Sequence, residues 1–242
     1  MTHEQQRFNT KRFPFFKEFL DLIFPQNCHY CGRNLFDWEF CLCSPCKNRL
    51  PVASYYLRPE DNELTQKLQG LCPVSKAISF LKFSRKGMSQ SLLHQLKYRN
   101  KPQIGQFLGN SFGKLLLKQP YAIDWDMIVP VPLHRQKLHR RGYNQSETFA
   151  KGIGEVLQIP VEKVLERSKW TDTQTNKTRL ERIDNVSGVF EIQPNQPVYQ
   201  RRILLVDDVL TTGATLAACA NILWKNGAKT VDLATIAAGG GV

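Results

Sequence analysis

Apolar positions follow two alternating patterns along most of the chain, short continuous runs and longer stretches with the spacing of a helix. The short runs predict strands at residues 77–83, 126–132, 187–192, 201–208 and 229–238. The stretches with apolar residues three or four positions apart predict helices at residues 89–98, 104–118, 144–158 and 215–227. Because strands and helices alternate, we predict an α/β fold with a doubly wound, mostly parallel sheet.

The first part of the chain has a different pattern. Residues 13–25, FPFFKEFLDLIFP, predict a short amphipathic helix that ends at Pro25. Charged residues interrupt this apolar run, which argues against a signal peptide or a membrane span and makes the cytoplasm the expected location. Because the α/β pattern begins only at about residue 77, we predict an N-terminal module at 1–50, a linker at 51–76 and the α/β domain at 77–242.

Five of the seven cysteines fall within nineteen residues, in CHYCGRNLFDWEFCLCSPC (28–46). Two C-x-x-C pairs can each form a tight turn that points two thiolates at one ion, and two such turns complete a tetrahedral zinc site. The predicted ligands of this structural site are Cys28, Cys31, Cys43 and Cys46, although Cys41 could replace Cys43. A disulfide scaffold is one alternative, but no export signal accompanies it. A redox C-x-x-C is another, but that motif normally stands alone near a βαβ unit.

The segment ILLVDDVLTTGAT (203–215) joins two adjacent acids to a turn of small residues. It lies between a predicted strand and a predicted helix, and ligands of open parallel sheets bind beyond the carboxyl ends of the strands. Backbone N–H groups of residues 211–215 can surround a phosphate, and Gly213 allows a close approach. Asp207 and Asp208 suit sugar hydroxyls or Mg²⁺. A ribose 5-phosphate offers both a phosphate and a vicinal diol, so it satisfies both parts of the segment.

The formal net charge of the chain is +12, and the positive charge is concentrated. Residues 64–123 contain ten Lys and Arg residues and no Asp or Glu, and residues 134–142 form a second basic cluster. Such a field suits phosphates, on a small substrate or on a nucleic-acid backbone; the alternative is a solubilising surface. The candidates for nucleic-acid contacts are Arg85, Lys86, Lys97, Arg99 and Lys101.

Residues 203–215 resemble, position by position, the signature with which type I phosphoribosyltransferases bind phosphoribosyl pyrophosphate (PRPP). The wider chain resembles the ComF family of competence proteins (ComFC-like), through its cysteine cluster, HQLKYRN (94–100) and IVPVPLHRQKLHRRGYNQS (128–146). The adjacent Cys41-Leu42-Cys43 departs from the family's pattern. The resemblance implies a type I phosphoribosyltransferase domain at 77–242 that binds PRPP with Mg²⁺, preceded by a small zinc-ribbon-like module.

The resemblance also implies roles for individual residues. Asp207 and Asp208 would be the catalytic pair that holds the ribose hydroxyls and, with them, the metal-bound substrate. The PRPP-binding turn would comprise Val209, Leu210, Thr211, Thr212, Gly213, Ala214 and Thr215. Val131 and Pro132 would form the pyrophosphate loop, where a cis X-Pro bond costs little. A mobile loop at 171–185 and nearby phosphate contacts would involve Arg140, Arg141, Asn144, Lys177, Arg179 and Arg182.

Two functions from different classes are compatible with these features. We expect a PRPP-binding, phosphoribosyltransferase-like protein of the competence system that binds single-stranded DNA. The resemblance implies a helicase-like partner, through which the protein would lie at the inner face of the membrane. The alternative is a phosphoribosyltransferase of nucleotide or base metabolism, which transfers ribose 5-phosphate from PRPP to an acceptor that the sequence does not identify. The acid pair favours a ribosyl ligand, whereas the basic region 64–123 favours a polyanion.

Overall fold

The computed structural model describes residues 26–167, 189–194 and 196–239. The chain divides into two units, Met1–Arg49 and Leu50–Val242. The predicted N-terminal helix at 13–25 and the predicted mobile loop at 171–185 lie outside the described residues.

The smaller unit contains the cysteine-rich segment. Isolated antiparallel bridges pair Asn27 with Asn34 and Phe40 with Leu42. One short helix, α1 (Ser44–Asn48), follows and has a proline in its first turn. Proline is well tolerated there because the first N–H groups of a helix have no helical acceptor. The turns and the short helix bring two pairs of cysteines together, as described below.

A parallel sheet forms the centre of the larger unit. The strands of this unit are β1 (Ala77–Lys82), β2 (Met127–Pro130), β3 (Leu165–Arg167), β4 (Phe190–Ile192), β5 (Arg202–Leu210) and β6 (Thr230–Ala238). The main sheet has the order β1-β6-β5-β2, with every neighbouring pair parallel, and β3 and β4 form a separate antiparallel pair. The predicted parallel α/β fold is confirmed. Residues Ile203 to Val206 of β5 are fully buried, as their continuous apolar run predicts.

Helices cover this sheet and connect its strands. The helices are α2 (Glu63–Leu68), α3 (Met88–Tyr98), α4 (Pro102–Leu116), α5 (Arg135–Arg141), α6 (Gln145–Leu157) and α7 (Ala214–Lys225). Short 3₁₀ turns lie at Tyr55–Leu57 and Pro120–Asp124. The four predicted helices are confirmed as α3, α4, α6 and α7. Helices α2 and α5 were not predicted, because six or seven residues are too few to show a helical period.

Helices α4 and α6 pack backbone against backbone at two glycines. A Cβ atom on Gly109 would lie 2.2 Å from the carbonyl oxygen of Phe149, and one on Gly152 would lie 2.3 Å from that of Gln106. Any larger residue at either position must therefore separate the helices. The close contact fixes the start of α6, which lies beside the end of β5.

Residues 51–76, the predicted linker, fold as part of the larger unit, whose boundary with the smaller one lies between Arg49 and Leu50. Leu64 and Leu68 of α2 are 1% exposed and belong to the main core. Asn62 caps α2 in a capping box whose other member is Thr65. The sequence did not reveal this helix because its capping box ends in Thr, whereas the usual signature ends in Glu or Gln.

Two further expectations concern the backbone. Among the described residues, no helix is long and apolar enough to cross a bilayer. Their peptide bonds are all trans, so the cis X-Pro bond expected in the loop at Val131 and Pro132 does not occur.

Candidate active site

The two adjacent acids lie where β5 passes beyond its neighbour β2. The last residue pair between these strands is Pro130 with Val206, and the Val131 N–H donates to the carbonyl of Val206 over 2.8 Å. Asp207 therefore begins where β2 ends, at the carboxyl edge of the sheet. This edge is where ligands of open parallel sheets bind, and it also holds the predicted pyrophosphate loop.

Asp207 is held by two hydrogen bonds to the same oxygen. The Ser146 hydroxyl donates to Oδ1 over 2.9 Å, and the Asp208 N–H donates to Oδ1 over 2.8 Å. Burial and the negative charge of Asp208 raise the pKa of Asp207 to about 7, although these hydrogen bonds and Lys97 oppose the shift. A carboxyl with a pKa raised in this way is a candidate for a functional role, because such shifts cluster at functional sites.

The second acid, Asp208, is paired with a cation, Lys97. The Lys97 Nζ lies 2.9 Å from both carboxylate oxygens, and the two side chains are 24% and 18% exposed. Lys97 belongs to the last turn of α3, 111 residues earlier in the chain. The structure therefore places one predicted nucleic-acid contact, Lys97, directly on the predicted ribose site.

The turn after β5 ends in a glycine with a left-handed backbone conformation. Gly213 has a φ of +84° and caps α7, whose first N–H groups have no helical acceptor. A Cβ atom on Gly213 would lie 2.8 Å from the Cδ2 atom of Leu68, so both the backbone and the packing require glycine. Thr211 is exposed and Thr212 and Thr215 are half-buried, which leaves their hydroxyls near the open N-terminus of α7.

Two predicted members of this turn belong to the strand. Val209 and Leu210 extend β5, pairing with Ala237 and Ala238 of β6. The Leu210 side chain is 2% exposed and packs in the core, so it offers a ligand only its backbone. The predicted strand ended at 208 because the acids interrupt the apolar run, whereas strand pairing continues through them.

Asn144 joins the pyrophosphate loop to α6. Its Oδ1 accepts from the Ser146 N–H over 3.1 Å, and its Nδ2 donates to the Val131 carbonyl over 2.9 Å. Asn144 is therefore the N-cap of α6. It also connects the loop to the start of α6. Glu147, three residues later, pairs with Lys151 and Lys163 instead of completing a capping box.

Arg140 and Arg141 are the last residues of α5, the helix that follows this loop in the chain. Arg140 is exposed, whereas Arg141 is half-buried and donates to Gln145 Oε1 over 2.7 Å. The Arg141 guanidinium lies 5.4 Å from the centre of the Tyr98 ring. The other predicted phosphate contacts, Lys177, Arg179 and Arg182, lie outside the described residues.

The predicted nucleic-acid contacts fall into two groups at opposite ends of α3. Arg85 and Lys86 precede the helix, and Lys97, Arg99 and Lys101 lie at or beyond its last turn. Eleven helical residues span roughly 16 Å. Of these five residues, Lys97 lines a cavity together with Arg140 and Arg141.

The sequence interpretation missed two side chains that act on Asp207. Ser146 is 61 residues away in the chain, and a serine in the first turn of a helix is ordinary. Arg167, at the end of β3, interacts electrostatically with Asp207. Burial lowers the pKa of Arg167, and the attraction to Asp207 opposes part of this lowering. Neither residue carries a local signal, because the fold alone brings both to β5.

The four predicted zinc ligands cluster in the smaller unit. One ligand atom from each of Cys28, Cys31, Cys43 and Cys46 lies within 4.8 Å of all the others, and the Cys31 and Cys43 sulfurs are 3.6 Å apart. Neighbouring sulfurs around tetrahedral zinc lie about 3.8 Å apart, given Zn–S distances of about 2.3 Å. The cluster can therefore hold a zinc-like ion with small adjustments.

Cys41 is distinct from this cluster. Among the described residues, the four sulfurs that lie close enough to share one ion include that of Cys43 and not that of Cys41. The geometry therefore favours Cys43 over Cys41 as the fourth ligand.

Comparison with known proteins identifies similar chains. Residues 143–241 match the phosphoribosyl transferase domain family. The chain is 33% identical over 149 residues to the DNA utilization protein YhgH of Escherichia coli O157:H7, covering 59% of this chain and 63% of that relative, just under two thirds of its length. It is 28% identical over 235 residues to competence protein F of Haemophilus influenzae, covering 87% of this chain and 96% of that protein. It is 35% identical over 104 residues to competence protein ComFC of Streptococcus pneumoniae, covering 43% and 44%.

Proposed function

We propose that this chain binds PRPP and single-stranded DNA in a DNA-uptake system. The premise is that the chain belongs to the ComF family and has the type I phosphoribosyltransferase fold. Support for the setting comes from relatives named for competence and for DNA utilization, and support for the ligand comes from the phosphoribosyl transferase match. Fold alone does not decide function, so the residues of the site must carry the proposal.

The observation that carries the proposal is the position of Asp207 and Asp208 in the last part of β5, shortly before the Gly213 turn. In the proposed complex, the 5-phosphate of PRPP accepts hydrogen bonds from the N–H groups at the start of α7. The two carboxylates accept hydrogen bonds from the ribose hydroxyls. Ser146 orients Asp207, and Lys97 limits the repulsion between the two acids.

The same carboxylates suit the Mg²⁺ ion that we expect to accompany PRPP. Magnesium prefers oxygen ligands and keeps several waters, so one or two carboxylates plus substrate oxygens are sufficient. When bound, the ion would neutralise charge on the pyrophosphate. Asp207 must then be ionised, and its pKa of about 7 makes this binding dependent on pH near neutrality.

For phosphoribosyl transfer, the bond between C1 of the ribose and pyrophosphate breaks, and an acceptor nucleophile forms a new bond to C1. The departing pyrophosphate carries the bonding electrons, so its release is an electrostatic problem. Arg140 and Arg141, at the end of the helix that follows the loop of Val131 and Pro132, are the described cations that we propose for this role. Lys177, Arg179 and Arg182 remain predicted contributors.

Single-stranded DNA is the proposed polyanion for the basic surface. Lys97, in the last turn of α3, lines one cavity with Arg140 and Arg141 at the end of α5, and Arg99 and Lys101 lie just beyond α3. Cations grouped in this way gain binding free energy by releasing the counterions of phosphate groups. A helicase-like partner at the inner face of the membrane belongs to the same proposal.

Calorimetric titration of PRPP with Mg²⁺ tests the ribosyl site. We expect the wild-type protein to bind and the double variant Asp207→Asn, Asp208→Asn to lose at least tenfold in affinity, because neutral amides accept ribose hydrogen bonds less strongly. Asp124→Asn is the matched control, since this exposed acid pairs with Arg202. Equal affinity of the double variant and the wild type would remove the ribose role.

Pyrophosphate release separates an enzyme from a binding protein. The wild-type protein is incubated with PRPP, Mg²⁺ and either single-stranded DNA or free bases. Release with free bases alone would favour the alternative, a phosphoribosyltransferase of nucleotide or base metabolism. PRPP binding without release would favour a binding role.

A further inference from the structure

A cavity of about 660 Å³ lies between the end of α3 and the end of α5. Its volume is within the range of small-molecule sites. The residues that give it its chemistry are Lys97, Tyr98, His139, Arg140, Arg141 and Tyr143. None of the described side chains that line it is acidic. The cavity therefore combines aromatic surface with concentrated positive charge.

Tyr98 supplies an accessible aromatic ring. It is 60% exposed although it belongs to a well-ordered helix with a buried face. Its ring contacts His94, with ring centres 5.0 Å apart, and the Arg141 guanidinium at 5.4 Å. Tyr98 thus offers an exposed ring beside an imidazole and a guanidinium, and aromatic and guanidinium planes are the surfaces on which unpaired nucleobases stack.

Hydrogen bonds hold the other residues that line the cavity. Gly142 has a φ of +79° and ends α5 with an N–H bond to the Leu138 carbonyl over 2.7 Å. The Tyr143 hydroxyl donates to the carbonyl of Leu96. Arg141 is fixed by its bond to Gln145. The cavity is thus preformed, which lowers the entropic cost of binding a ligand.

We propose that this cavity binds one nucleotide of single-stranded DNA, with the base against Tyr98 and the adjacent phosphate on Arg140. This inference rests on the proposed binding of single-stranded DNA and specifies where a base is held. A duplex is excluded as the occupant because its bases are stacked and paired, and a concave site with one exposed ring needs an unstacked base.

Equilibrium binding of a fluorescent oligothymidylate of twelve nucleotides tests the inference. Tyr98→Ala should weaken binding roughly 5- to 150-fold, the range for one lost base-aromatic stack. Tyr98→Phe keeps the ring and should stay within about twofold. Tyr199→Ala is the matched control, because this tyrosine is 76% exposed and does not line the cavity. Thermal unfolding verifies that each variant is folded.

Two further ligands separate the base from the phosphate. An abasic strand of the same length should bind wild type and Tyr98→Ala equally, since it has no base to stack. Arg140→Gln should lower the salt slope of oligothymidylate binding by about 0.7, the value for one contact with a single strand. Thymidine monophosphate and unlabelled oligothymidylate are then compared as competitors of the labelled strand. If both compete equally at the same total nucleotide concentration, the cavity takes free nucleotides and the assignment to a strand is overturned.

The outcomes distinguish this inference from the proposed function. If the wild-type protein binds no oligothymidylate, the proposed DNA function fails and the inference fails with it. If it binds the strand and Tyr98→Ala binds equally well, the DNA function stands and the cavity is not the base site. Equal weakening by Tyr98→Ala and Tyr199→Ala also overturns the inference.

Discussion

Lys97 and Asp208 form an ion pair that connects the basic surface to the acid pair, with the Lys97 Nζ 2.9 Å from each Asp208 oxygen. Lys97 also lines the cavity beside Tyr98. One cation therefore borders both the proposed ribosyl site and the proposed nucleotide cavity. Any ligand phosphate that draws Lys97 away leaves Asp208 without its partner and changes the charge that PRPP and Mg²⁺ meet. Binding at the two sites is consequently expected to be coupled, and such coupling must be reciprocal.

Replacing Lys97 tests this connection. Lys97→Met should lower the free energy of unfolding by roughly 1–3 kcal/mol, because it leaves Asp208 partly buried and uncompensated beside Asp207. Urea unfolding measures the loss. Adding Asp208→Asn should recover part of it, since the uncompensated charge is then absent, and the double-mutant cycle isolates the pair. Simple addition of the two single effects would show that the ion pair contributes no coupling energy.

Asp207 should make the stability of the ligand-free protein depend on pH. Its pKa is raised from 3.8 to about 7 by burial and by Asp208, so the folded protein binds this proton more tightly than the unfolded chain. The free energy of unfolding therefore falls as pH rises from about 4 to about 7, and this contribution is fully lost above that window. Asp207→Asn cannot ionise and should be more stable than wild type at pH 8, but not at pH 4.

Thermal unfolding at the two pH values measures this effect. Each kcal/mol of added stability raises the Tm by roughly 2–4 °C in a chain of this size. Asp124→Asn serves as the control, because the exposed Asp124 pairs with Arg202 away from the acid pair. A difference between Asp207→Asn and wild type that does not change with pH would contradict the raised pKa.

The sequence allowed the sheet, four helices and the acid pair to be predicted, because each has a local signal. The apolar run of β5 ends at Asp207 and Asp208, and the small residues after it mark a turn. Ser146 and Lys97 could not be placed, since their contacts span 61 and 111 residues and depend on how α6 and α3 pack on the sheet. Helix α2 was interpreted as linker because its two buried leucines are too few to establish a period.

Gly213 should be intolerant of a side chain for two separate reasons. Its φ of +84° strains any larger residue, and a Cβ atom would lie 2.8 Å from Leu68. Gly70 provides a matched control, because its φ is +78° and nothing lies within 4 Å of a Cβ there. We expect Gly70→Ala to cost about 1–2 kcal/mol from the backbone alone. Gly213→Ala should cost more and also weaken PRPP binding, as measured by urea unfolding and calorimetry. Equal costs for the two variants would show that Leu68 yields without penalty.

Metal content distinguishes Cys43 from Cys41 as a ligand. Protein purified without added zinc should contain about one equivalent by elemental analysis, because the thiolates of two C-x-x-C pairs can surround one ion. Cys43→Ser should lose most of that metal, since three thiolates leave the tetrahedral site incomplete. Cys41→Ala should retain it, because Cys41 lies outside the group of four sulfurs that can share one ion. Loss of zinc from Cys41→Ala with retention in Cys43→Ser would reverse the assignment, and absence of zinc from the wild type would exclude the site.

Since metal binding supplies folding free energy to small modules, chelation should unfold the cysteine-rich segment while the larger unit, with its own core, keeps its thermal transition.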